Sequence, residues 1–134
     1  MIPFLDLKAQ YRAIQAEVTE AMGRVLASTS FVLGRELESL EQEFAAYCGT
    51  EFAIGVANGT DALLLTLVAL GIGRDEAVIT VPNTFFATAE AISHAGATPI
   101  FVDIDPASYN MSPARLEEFL RGCRRHTRGG WQQD

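Results

Sequence analysis

The sequence predicts an α/β fold built on a parallel sheet with helices on both faces, led in by a helical segment. Three observations predict it. Short apolar runs rich in β-branched residues, Phe52–Ala57, Val78–Val81 and Thr98–Ile104, alternate with helical stretches, Thr60 to Leu70 and about Phe85 to Ala95. Glycines at 71, 73 and 96 punctuate the ends of these stretches. Strand–helix–strand–helix–strand in this order calls for parallel strands joined by crossover helices.

The elements follow in chain order. Asp6 is placed to cap a first helix running to about Leu26. In it Leu7, Tyr11, Ile14, Val18, Met22 and Val25 recur at spacings of three and four, one apolar face. The stretch Ser28 to Gly34 breaks that period and reads as a loop. A second helix carries Leu37, Leu40, Phe44 and Tyr47 on one face and stops at Gly49. Its Glu36, Glu38, Glu41 and Glu43 read as a solvated acidic face. After the alternating region, Ser112-Pro113 opens another helix, with Ser as cap and Pro in the first turn. Leu116, Phe119 and Leu120 give that helix its apolar side. The domain reading is a helical segment over 1–50, a partial α/β domain over 51–122, and an irregular tail over 123–134 that is expected to be cut short.

Composition narrows the function. The 134 residues are 49% hydrophobic and 20% charged, within the range of soluble globular domains. Residues 1–111 hold 5 basic and 14 acidic side chains, a net of −9, and residues 112–134 hold 5 and 3, a net of +2. The acidic body argues against a nucleic-acid surface, and the Arg-rich stretch 121–128 reads as a solvated end. The longest apolar run, Ala62 to Leu70, is too short to span a bilayer. Cys48 and Cys123 lack metal-type spacing, and His94 and His126 stand far apart, so no metal site is expected. Two free thiols and no signal peptide fit a cytoplasmic setting.

The chemistry concentrates at Val56-Ala57-Asn58-Gly59-Thr60-Asp61. A glycine and a hydroxyl residue at a helix start present free N–H groups and the positive end of the helix dipole, a ready place for a phosphate. An ordinary helix cap explains the same residues, since Asn58, Thr60 and Asp61 all cap well. No Gly-x-Gly-x-x-Gly follows the first strand, which weakens a dinucleotide-binding reading.

Four segments in order, Ile2-Pro3-Phe4-Leu5-Asp6-Leu7-Lys8-Ala9-Gln10-Tyr11, Asn58-Gly59-Thr60-Asp61-Ala62-Leu63, Val78-Ile79-Thr80-Val81-Pro82-Asn83-Thr84-Phe85 and Phe101-Val102-Asp103-Ile104-Asp105-Pro106, resemble the DegT/DnrJ/EryC1/StrS family of sugar-nucleotide aminotransferases. The family depends on pyridoxal 5'-phosphate (PLP). The resemblance covers roughly residues 2–120, about the first third of a typical member. It implies the large domain of the aspartate aminotransferase-like, PLP fold-type-I class, here an incomplete parallel-rich sheet flanked by helices. In that topology Phe52–Ala57 has no native neighbour in this chain. The resemblance implies that Gly59, Thr60 and Asp61 hold the cofactor phosphate and that Phe85 stacks on the pyridine ring. Thr84 and Thr88 are weaker candidates beside it, and Phe86 is expected in the core. Asp103 and Asp105 look like an acid pair, but Asp105-Pro106 reads as a turn.

The resemblance further implies a nucleotide-linked keto-sugar substrate in amino-sugar biosynthesis, glutamate or glutamine as amino donor, and a homodimer. A dehydratase of the same family, or a small phosphate- or nucleotide-binding module without catalysis, are the alternatives. The family's Schiff-base lysine and the acid that pairs with the pyridine nitrogen belong beyond position 134. Lys8 is the only lysine here and belongs to the first helix. The chain alone is therefore expected to lack catalytic residues and to be inactive.

Overall fold

The computed structural model describes residues 4–125 and 131–133. The chain divides into two compact units, Met1–Gly55 and Val56–Asp134.

The first unit is helical. Helix α1 spans Leu7–Ser28 and α2 spans Arg35–Cys48. Asp6 caps α1 through its side chain, which accepts the Ala9 N–H at 3.0 Å. Thr29 ends that helix in the left-handed region, at φ 54°. Gly34 precedes α2 where a Cβ would stand 2.6 Å from the Ser30 carbonyl oxygen, so only glycine fits the approach. Glu36 and Glu38 in the first turn of α2 favour its dipole, and Gly49 closes it at φ 68°. Arg24 joins the two helices through Glu36 at 3.2 Å.

The periodicity gave the helices correctly but not their burial. Along α1, Leu7, Tyr11, Ile14 and Met22 stay exposed, and Ala45 on α2 is the buried apolar residue of this unit among those described. An apolar stripe is buried only when another element covers it, and the described residues of this unit leave this one open.

Phe52–Ala57, expected as a strand, runs without strand pairing. A strand exists through a neighbour that takes its N–H and C=O groups. Here the acceptor is a side chain, Glu41 Oε1, 2.7 Å from the Gly55 N–H. That contact also gives one of the acidic residues of α2 a structural role.

The second unit is a strand–helix–strand crossover with a helix before it. Helix α3 covers Gly59–Ala69, β1 Ala77–Thr80, α4 Ala87–His94 and β2 Thr98–Phe101. β1 and β2 pair in parallel, with Ala77 opposite Thr98 and Thr80 opposite Phe101. Gly71 and Gly96 turn the chain at φ 74° and 89°. α4 packs on both strands and on α3. Its Ala87, Ala91 and Ile92 are buried with Ala97 and Val102, and these make the core. Small residues on α4 let the helix lie close to the sheet. Beyond β2 an antiparallel bridge, Ile104 with Met111, closes a turn. Helix α5 covers Pro113–Arg121, with Ser112 accepting the Arg115 N–H at 3.3 Å.

The expected irregular tail is corrected in part. β3, Cys123–Arg125, pairs antiparallel with β4, Trp131–Gln133. Strands three residues long are too short to show a period, so side-chain pattern gave no warning.

Candidate functional site

The start of α3 is built around Asn58. Its Oδ1 accepts the Asp61 N–H at 3.0 Å, and its Nδ2 donates to Asp61 Oδ2 at 3.1 Å. This reciprocal lock is an asparagine version of the capping box. The Ala62 N–H bonds the Asn58 carbonyl at 3.0 Å. The N–H groups of Gly59 and Thr60 have no acceptor among the described residues. A Cβ on Gly59 would meet nothing within 4 Å, so the space beside it is open.

The three residues expected to form a cup, Gly59, Thr60 and Asp61, differ in how their N–H groups are used. The N–H groups of Gly59 and Thr60 are available to an anion, while that of Asp61 is committed to Asn58. Asn58 also holds the Asp61 carboxylate, a negative group at this helix start. Sequence reading named Asn58 only as a capping residue. The spacing of Asn58 and Asp61, three apart across a Gly-Thr pair, was the signal for the lock.

Phe85 lies between β1 and α4. It is 79% exposed, and Phe86, expected in the core, is 74% exposed. Phe86 is corrected: the sheet beside it stops at two strands, so nothing among the described residues covers that side. Thr84 and Thr88 come together, their Oγ1 atoms 2.9 Å apart. The Thr84 N–H bonds the Pro82 carbonyl and the Thr88 N–H bonds the Phe85 carbonyl, each at 3.0 Å. The Gly59–Asp61 and Phe85 segments therefore stand at the starts of two helices, α3 and α4, that pack on one another. No hydrogen bond joins the two segments among the described residues.

The acid pair resolves as the sequence suggested. Asp105 Oδ1 accepts the N–H groups of Ser108 at 2.8 Å and Ala107 at 3.1 Å. The Ser108 N–H, then the Ser108 side chain, then the Ala107 N–H hold the Asp105 carboxyl below its ordinary value. Asp103 accepts the Ile104 N–H at 3.0 Å. The Asp105 carboxylate is thus used by the turn, and that of Asp103 by its own neighbour. His94 ends α4 and faces Glu90 at 3.8 Å, an i,i+4 pair on the helix surface. Lys8 is exposed in the first turn of α1, in the other unit. An open apolar groove of about 470 Å³ lies on α5 between Leu116, Leu120 and Cys123, and contains none of the motif residues.

Residues 12–126 match the sequence profile of the DegT/DnrJ/EryC1/StrS aminotransferase family. The chain is 48% identical over 118 residues to a dTDP-3-amino-3,6-dideoxy-alpha-D-galactopyranose transaminase of Aneurinibacillus thermoaerophilus, covering 88% of this chain and 32% of that protein. It superposes on a DegT DnrJ EryC1 StrS aminotransferase from Brucella abortus with a TM-score of 0.86 and 38% identity, over 100% of this chain and 35% of that one. It is also similar to NtdA from Bacillus subtilis with bound cofactor PMP, with a TM-score of 0.82 and 31% identity, over 87% and 27% of the two chains. The chain thus spans about a third of the length of the relatives it matches. A profile match over most of its residues and a backbone that follows family structures lead to one conclusion: the chain belongs to the DegT/DnrJ/EryC1/StrS aminotransferase family.

Proposed function

We propose that the chain is the N-terminal part of a PLP-dependent aminotransferase acting on a nucleotide-linked keto-sugar. Its share of that work is to hold the cofactor. The observation that carries this reading is the start of α3, where two N–H groups have no acceptor among the described residues and the space beside Gly59 is open. Family membership and a relative with bound PMP support it.

The residues present fit the phosphate end and one ring face of the group. The N–H groups of Gly59 and Thr60 and the Thr60 hydroxyl would bind phosphate oxygens, aided by the dipole of α3. The Asn58–Asp61 lock keeps the acidic side chain tied back. Phe85 would lie against the ring, since an exposed aromatic gains from offset contact with a flat, electron-poor partner. When bound, PLP supplies an electron sink for chemistry at the substrate carbon bearing nitrogen.

Among the described residues we assign none to moving the proton in that chemistry. Lys8 is exposed on the helical unit, Asp105 is engaged in a turn, and the Asp103 carboxylate accepts the neighbouring Ile104 N–H. We therefore assign no catalytic residue to these 134 residues and expect no turnover by the chain alone. The amino donor, glutamate or glutamine, and a homodimeric assembly are part of the proposal for the whole enzyme.

The test is to mix the chain with PLP, treat with borohydride and digest for mass spectrometry. The expected result is no stoichiometric adduct at a specific residue other than Lys8 or the N-terminal amine, and no transamination. Turnover, or a stoichiometric adduct elsewhere, would overturn the assignment.

A further inference from the structure

The exposed Phe85 ring raises the question of what holds it. A side chain free to turn loses rotamer entropy when a ligand stacks on it, and that loss weakens binding. Phe85 is 79% exposed, and the aromatic pair among the described residues, Phe44 with Tyr47, does not include it. What is fixed is the backbone on either side. Pro82, with its restricted φ, accepts the Thr84 N–H, and the Phe85 carbonyl accepts the Thr88 N–H. Between them the Thr84 and Thr88 hydroxyls bond at 2.9 Å, tying the loop to the first turn of α4. That turn is anchored in turn, because Ala87 and Ala91 are 6% and 1% exposed.

A capping role does not account for the pair. The residue that begins α4, Phe86, makes no side-chain capping bond. The hydrogen bond of the Thr84 hydroxyl is made to Thr88, not to a backbone N–H of the helix.

We propose that the Thr84–Thr88 hydroxyl pair is a positioning device that fixes the direction of the Phe85 side chain for stacking on the cofactor ring. The inference rests on the reading of Phe85 as the stacking residue. Neither threonine needs to touch the ring. Each acts through the backbone of Phe85, and the rigid support is α4 seated on the sheet.

The test uses the full chain and two probes, PMP, which has no aldehyde to react with amines, and inorganic phosphate. Affinities are measured by fluorescence titration for wild type, Phe85→Ala, Thr84→Val, Thr88→Val, the double Thr84→Val/Thr88→Val and Thr88→Ser, with far-ultraviolet circular dichroism to confirm equal helix content. Valine keeps the shape of threonine and removes the hydroxyl. Losing one hydrogen bond should weaken PMP binding about three- to tenfold. Each single variant should show that loss, the double should show no further loss, and Thr88→Ser should bind like wild type. In a Phe85→Ala background Thr88→Val should have no effect, and phosphate affinity should stay constant throughout.

Full PMP affinity in Thr88→Val, additive losses in the double, or an equal fall in phosphate affinity would overturn the inference. If Phe85→Ala binds PMP like wild type, the stacking reading fails and the inference with it. If Phe85→Ala weakens PMP but Thr88→Val does not, the inference alone fails. Absence of PMP binding by wild type would sink both.

Discussion

The two units of this chain have similar helix-forming signals and opposite outcomes. In Met1–Gly55 two well-capped amphipathic helices form, yet Ala45 is the only apolar residue described as buried. In Val56–Asp134 shorter elements bury Ala87, Ala91, Ile92, Ala97 and Val102. The difference is one of layers. A helix closes its own backbone hydrogen bonds and can form from local signals, but its apolar stripe needs a second surface. The crossover of the second unit supplies that surface, because β1 and β2 pair and α4 must lie on them. The candidate site residues follow the same division: the turn at Gly59–Asp61, proposed to bind phosphate, and Phe85 are both carried by the unit that has a core.

The largest expected effect separates the units directly. Ile92 is 3% exposed and Ile14 is 46% exposed. Ile92→Ala should cost about 2–5 kcal/mol and remove the unfolding transition of a unit this small. Ile14→Ala should cost about 0.5 kcal/mol or less. Urea unfolding followed by circular dichroism checks both. Equal effects would show that the α1 stripe is covered in solution, and the comparison would break.

Capping residues give the next effect. Asn58→Ala should cost about 1 kcal/mol, seen as a lower urea midpoint for the second unit. Asp6→Ala removes an equivalent cap, but from a helix without a buried face. It should lower helix content at the start of α1 and leave that midpoint where it is. A shift in the midpoint with Asp6→Ala would mean that the two units unfold together.

How much of this was legible beforehand divides along physical lines. Gly49 as a helix stop, Ser112-Pro113 as a helix start and Asp105-Pro106 as a turn were readable because each is decided by neighbours in sequence. The order β1, α4, β2 was readable because its periods change sharply. Phe52–Ala57 carries strand-forming residues but no ladder, since a strand is completed by a distant partner. Phe86 was misjudged for the same reason: burial depends on what else is nearby. The β3–β4 hairpin has too few residues to carry a period. At the site, the residue types were legible, while the Asn58–Asp61 lock and the Thr84–Thr88 bond became clear only from coordinates.

The turn at Asp105 gives a smaller, pH-dependent effect. Its carboxyl is held below the ordinary value by N–H groups of Ser108 and Ala107, so it stabilises the fold above the unfolded-state pKa, about 4. That contribution is lost as pH falls through the lower folded value. The stability gap between wild type and Asp105→Ala should be constant from pH 7 to 5 and should shrink below pH 4. A gap that does not change with pH would mean that the ionised form is not what the turn prefers. The smallest effect is expected at the exposed Arg24–Glu36 pair, where Arg24→Gln should leave the urea midpoint unchanged.

The central claim is that the second unit carries a preformed place for the cofactor's phosphate at the start of α3. Backbone amide spectra of the labelled chain, recorded by nuclear magnetic resonance during a PMP titration, test it most directly. The account predicts that the Gly59 and Thr60 amides move most, that Phe85 and its neighbours move with them, and that the Asp61 amide, held by Asn58, moves less. It also predicts that inorganic phosphate reproduces the shifts at Gly59 and Thr60 without those at Phe85. Shifts confined to Lys8 or to the arginines after Gly122, with Gly59 and Thr60 unmoved, would contradict it.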